Sequence, residues 1–188
     1  MLRRAGVSQS EVDHWGRWLQ AAEEISSKFD AWEDDPFGYN EQASVGILAA
    51  AAFRADLVAL PEYVARKASK EDRRKRANGR CDLWLAAPRS DWAFEFKNMM
   101  IGLAPRAATL RTRLQQAVDC AKQVTATEAA KRVGCLIVST YPALWTKAGP
   151  ELHSRLLGFA KEVDFAAFIE PNNRHAQPVF FFMRHHRG

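Results

Sequence analysis

Two apolar runs joined by a proline-containing turn, CDLWLAA and SDWAFEFK within residues 81–97, constrain the fold of this chain more than any other stretch. Successive side chains of a strand alternate between faces, and directly opposed residues of an antiparallel pair share a face. Gathering Leu83, Leu85, Trp92, Phe94 and Phe96 on one apolar side therefore requires a hairpin with an even-length loop, such as Ala87–Ser90. The opposite side is then fixed as Asp82, Trp84, Ala86, Ala93, Glu95 and Lys97. In this register Asp82 faces Glu95, and Lys97 lies roughly 7 Å further along the same strand. A slip of one residue would turn all three charges into the apolar side, so the hydrophobic pattern itself holds them together.

Charges in half-buried strands need a reason. Two carboxylates this close repel unless a proton or a cation lies between them. Oxygen ligands that leave room for waters and a phosphate oxygen suit Mg2+ or Mn2+, and a neighbouring lysine can orient water or hold a phosphate. The set suits metal-assisted hydrolysis of a phosphodiester. An ordinary cross-strand salt bridge would leave the same trace in a short motif, so the surroundings matter.

Those surroundings read as an α/β domain. The spacing of Trp15, Trp18, Leu19, Ala22, Ile25 and Phe29 predicts a helix over 10–29 with Ser10 as its N-cap. A Pro/Gly/Asn-containing loop and a second, small-residue helix from Glu41 follow. Residues 62–67 have strand character, and beyond the hairpin Pro105 can open a helix with Leu110, Leu114, Ala117 or Val118, Ala121 and Val124 on its apolar face. VGCLIVST is a continuous apolar run, as in a strand covered on both faces. A further helix (PELHSRLLGFAKEV) and two strands (FAAFIE, PVFFFMR) complete the order. The alternation predicts one domain over 1–188, its core from about residue 40 onward, with a central mixed sheet flanked by helices.

Charge is distributed unevenly. The chain of 188 residues carries a net +5, yet residues 66–80 alone hold eight Lys or Arg against Glu71 and Asp72. A basic loop of this kind suits a polyanion, with Arg73, Arg74, Lys75, Arg76 and Arg80 as the expected phosphate contacts. Cys81, Cys120 and Cys135 have no CxxC spacing and read as free thiols of a reducing cytoplasm. No run approaches the ~18 apolar residues of a membrane span. The five histidines form no spaced zinc set with the cysteines, and His185 and His186 read as an exposed tail. Ser139 lacks a glycine-flanked elbow, and no GxxxxGK loop for a nucleotide cofactor exists.

The combination of Asp82 in RCDLWL with Glu95 and Lys97 in FEFK resembles the PD-(D/E)XK nuclease superfamily, the restriction-endonuclease-like fold. The order of elements from about 40 to 140 is similar as well. The resemblance implies a three-layer core and a Mg2+-dependent nuclease, with Asp82, Glu95 and Glu41 as metal ligands and Lys97 as the fourth catalytic residue. Glu41, in YNEQASVG, is matched to a glutamate of the first core helix, with Glu62 as its rival. The pattern departs from the family at Cys81, where a proline is usual, and on the helix after the lysine. There Gln115 and Gln116 are present but Asp119 and Cys120 replace a tyrosine. The expected substrate is DNA; cutting both strands of a duplex would call for two sites, as in a homodimer. The alternative is a catalytically inactive subunit of this fold, binding nucleic acid or serving assembly in a phage or defence system.

Overall fold

The computed structural model describes residues 2–3, 6–68, 76–170 and 176–186. Its elements are β1 (Leu2–Arg3), α1 (Gln9–Ser26), α2 (Glu41–Arg54), β2 (Val58–Ala68), β3 (Arg76–Ala87), β4 (Ser90–Ile101), α3 (Ala107–Ala121), β5 (Lys131–Thr140), α4 (Pro142–Ala160), β6 (Phe165–Ile169) and β7 (Val179–His185). Two short 3-10 turns, Ser27–Trp32 and Pro36–Gly38, connect α1 to α2. No helix among the described residues is long and apolar enough to cross a membrane.

The strands form one mixed sheet in the order β1-β6-β7-β5-β4-β3-β2. Only β4 and β5 run parallel, joined by the α3 crossover; every other pair is antiparallel. Alternation of side chains separates two large cores, with a smaller cluster of Ala65, Cys81, Ala93, Val124 and Ala129 beside them. On one face α1 and α2 bury Trp15, Trp18 and Leu48 against Leu83, Leu85, Trp92, Phe94 and Phe96. On the other, Leu110 and Leu114 of α3 and Leu152 and Leu156 of α4 cover Leu136, Val138, Phe180 and Phe182. β5 contributes to both cores, which is why its sequence is apolar without alternation. The chain is thus an α/β domain with helices on both faces of a mixed sheet.

The hairpin has the register that its apolar residues require, with Leu83 opposite Phe94 and Leu85 opposite Trp92. Its loop is shorter than expected: Ala87 pairs with Ser90, so only Pro88 and Arg89 make the turn, a change that preserves every facing pair. The first helix also starts earlier. Ser8, not Ser10, is the N-cap, because its hydroxyl accepts from Glu11 N–H while the Glu11 carboxylate returns to Ser8 N–H. β2 begins at Val58, four residues before the strand expected at 62–67, and the basic segment is not one loop: residues 66–68 end β2 and 76–80 begin β3.

Candidate active site

The candidate site lies where two paired strands part. β3 and β4 are paired only as far as Leu83 and Phe94. Beyond that point β3 continues with β2 to the Arg76–Ala68 pair, while β4 continues with β5 to the Ile101–Thr140 pair. Asp82 stands at the apex of this fork. Its Oδ2 accepts from Phe96 N–H at 2.7 Å, a bond that replaces the next rung of the ladder. The expected cross-strand pairing of Asp82 with Glu95 is therefore converted into a carboxylate that bridges the fork.

Glu95 and Lys97 project from β4 toward the α3 side, as does their neighbour Ile101 in the core beneath α3 and α4. Glu95 is 4% exposed. It pairs with Gly134 of β5, and a side chain at Gly134 would meet the α3 backbone, with Val118 N only 2.4 Å from an added Cβ. The glycine lets α3 lie directly on the sheet beside Glu95, and that approach removes water from the carboxylate. Burial, followed by the negative charge of Asp82, pushes the Glu95 carboxyl up to about 7, against the opposing pull of Lys67 and Lys97. Cys120, on the α3 face above, feels the charges of Glu95, Lys97, Lys67 and Asp82, which puts it beside the same group; burial and then Glu95 raise its thiol.

Lys97 is held from the other side. Glu41, in the first turn of α2, approaches Lys97 Nζ with Oε1 at 3.1 Å and Oε2 at 3.3 Å, and Lys97 also donates to the Phe96 carbonyl at 2.6 Å. Burial would lower the Lys97 ammonium, but the Glu41 charge and hydrogen bond, with Asp82, raise it, so the group stays cationic. One turn further along α2, Ser44 Oγ accepts from Asn98 Nδ2 at 2.9 Å, fixing the helix start against β4. Asn40 caps that helix through Ala43 N–H.

Glu62, the rival to Glu41, is placed differently. It would face Asp82 across β2 and β3, but the pair is skipped between Pro61–Leu83 and Tyr63–Cys81, and Glu62 has a left-handed φ of 52°. Its carboxylate reaches Arg80 Nη2 at 2.7 Å. Of the two glutamates, Glu41 is the one whose contacts lead to Lys97.

Sequence reasoning missed Lys67. Its Nζ lies 2.5 Å from Glu95 Oε1, with the lysine side chain 15% exposed and the carboxylate 5%. Nothing local signals this contact, since the partners are 28 residues apart and belong to opposite prongs of the fork. The basic residues fare unevenly. Arg80 is exposed on β3, Arg76 begins that strand, and Arg73, Arg74 and Lys75 lie outside the described residues.

The donor set can be tested against a divalent cation. Among the described residues no three His, Cys, Asp or Glu side chains are gathered as a ready-made cage. Mg2+ nevertheless commonly takes one or two carboxylates and completes its shell with water and phosphate oxygens. Asp82 and Glu95 supply such a pair, close enough that the Asp82 charge adds to burial in raising the Glu95 carboxyl. The residues fit the ion. No family model, curated protein or solved structure matches the chain.

Proposed function

We propose that this chain is a divalent-metal-dependent nuclease of the restriction-endonuclease-like type that hydrolyses phosphodiester bonds, with DNA as substrate and Mg2+ or Mn2+ as the ion. The observation that carries the reading is the fork apex. Asp82, Glu95 and Lys97, grouped by the alternation of one hairpin, meet there with the glutamate of an adjoining helix start. A bound cation would supply Lewis-acid neutralisation of phosphoryl charge and a more acidic water.

The protein's own contributions follow from the contacts. Asp82 and Glu95 hold the ion, one from each prong of the fork. Lys97 faces the scissile phosphate and neutralises charge that develops on its oxygens. Glu41 positions the Lys97 ammonium and keeps it protonated. Exposed Arg66 and Arg80 line the adjoining strands, continuous in sequence with the remaining basic residues of 66–80, and engage the backbone of the substrate without reading its bases.

The test is cleavage of single- and double-stranded DNA with Mg2+ or Mn2+ by the wild type and by Asp82→Asn and Lys97→Ala variants. Loss of at least about a hundredfold in rate is expected for each, the scale of removing one preorganised electrostatic group. Cleavage unchanged in both variants would eliminate the site. A non-catalytic nucleic-acid-binding subunit is the second reading, favoured by the internal pairing of Lys67 with Glu95 and of Lys97 with Glu41. It would show salt-sensitive DNA affinity with neither turnover nor a metal requirement.

A further inference from the structure

The proposed ion-holding carboxylate already has a cationic partner, and the fold goes to some length to provide it. Lys67 sits near the end of β2, where its backbone is pinned by the bridge to Val124 and by Thr125 N–H donating to the Arg66 carbonyl at 3.1 Å. From that fixed root the side chain runs over Gly79 of β3. An added Cβ at Gly79 would come within 2.8 Å of Lys67 Cδ and 3.2 Å of Cγ. The absence of a side chain at Gly79 therefore leaves a channel for the lysine stem across the strand. At the end of the channel Nζ meets Glu95 Oε1 at 2.5 Å.

A divalent ion on Glu95 and an ammonium at that distance exclude each other. They compete for the same oxygen, and at close range in a poorly hydrated site their repulsion is large. Lysine suits a reversible partner, being a point charge on a flexible four-carbon stem.

We propose that Lys67 is a resident counter-ion of the site, routed to Glu95 over Gly79, which divalent metal must displace in order to bind. This rests on the nuclease reading above and adds a positioning residue that none of its motif residues includes. Metal loading is then an exchange of cations on Glu95. Lys67 lowers the affinity of the site for metal and keeps the buried carboxylate paired when metal is absent.

The experiment is calorimetric titration of the full chain with Mn2+, which reads binding directly and does not depend on cleavage. Lys67→Met should bind about tenfold more tightly than the wild type, the scale expected when a close charged competitor is removed. Gly79→Ala keeps the lysine but obstructs its stem, and should tighten binding by a smaller factor; it supports the test independently if Lys67→Met folds poorly. Glu95→Gln should abolish binding in every background. Equal or weaker Mn2+ binding by folded Lys67→Met, or by Gly79→Ala where the first variant does not fold, overturns the counter-ion role while leaving the metal site intact. No Mn2+ binding by the wild type and both variants overturns the metal-dependent reading and the counter-ion with it.

Discussion

Glu11 shows how much one buried carboxylate can organise. It is 2% exposed, and its oxygens receive Ser8 N–H at 3.0 Å, Trp92 Nε1 at 3.0 Å and Lys131 Nζ at 3.0 Å, with His185 Nε2 at 3.2 Å. These groups come from the start of α1 and from β4, β5 and β7, so a single side chain ties a helix start to three strands. Burial alone would raise its carboxyl, but the close approach of the His185 ring, the hydrogen bonds from Ser8 and Trp92 and the Lys131 ammonium outweigh it and hold the group well below its ordinary 4.5. The sign follows from that depression: the stabilisation is complete above pH 4.5 and is lost progressively as pH falls below it. Glu11→Ala should destabilise the protein by about 3 kcal/mol at pH 7, in the range for breaking a buried charged cluster, and urea titrations repeated from pH 7 to 3 should show a flatter pH dependence than the wild type. A parallel decline in both proteins would remove Glu11 as the acid-sensitive group. The apolar spacing points to Ser10 as the cap, so neither the Ser8–Glu11 capping box nor the cluster built on it was anticipated; Trp92, Lys131 and His185 converge only in the folded sheet. His185, which reads as part of an exposed tail, is a 12%-exposed side chain stacked on Trp15.

Individual elements were legible where one face had to be dry. The β3–β4 register followed from five apolar residues, and α2 began at Glu41 as its sequence predicts. Where a ladder stops is a different matter. The fork below Leu83 and Phe94 arises because β3 follows β2 while β4 follows β5, a tertiary balance with no local signature. The start of β2 was obscured for a related reason: Val58 and Leu60 lie exposed on an edge strand, and Pro61 with left-handed Glu62 interrupts the pattern. The contact of α3 with β5 is set at Gly134, beneath Ala117 and Val118, where an added Cβ meets backbone atoms that cannot swing aside. Gly134→Ala should therefore push the helix off the sheet and cost about 2–3 kcal/mol, as overpacking does in a dense core. Chemical denaturation measures the loss. Because Gly134 pairs with Glu95, the same change should also weaken Mn2+ binding, whereas a stability loss with unchanged metal affinity would show that α3 packing does not shape the site.

For the molecule as a whole, the distribution of charge bears on the proposed DNA-binding role. The chain has a net +5, and residues 66–80 contribute +6, so the remainder is close to neutral with a net of −1. The excess positive charge is therefore concentrated in one segment, whose residues 66–68 and 76–80 lie on the two strands that form one prong of the fork. On the proposed nuclease reading placement matters more than the total, because phosphate contacts would fix the orientation of a duplex or strand and so decide which bond reaches Lys97. Arg80 remains available to such a contact despite its pair with Glu62, since its side chain is 64% exposed and a solvated ion pair of that kind is weak. Each lysine or arginine that neutralises a phosphate releases counter-ions, giving a slope of log affinity against log salt of about −0.9 per contact on duplex DNA. Replacing Arg73, Arg74 and Lys75 together by glutamine should make that slope shallower by up to about 2.7. It should also weaken binding alike for unrelated sequences while leaving Mn2+ affinity at the fork unchanged. Fluorescence anisotropy at a series of salt concentrations measures the slope. If it is the same for the variant and the wild type, the basic segment makes no phosphate contact, and its proposed role in bringing DNA to the fork is overturned.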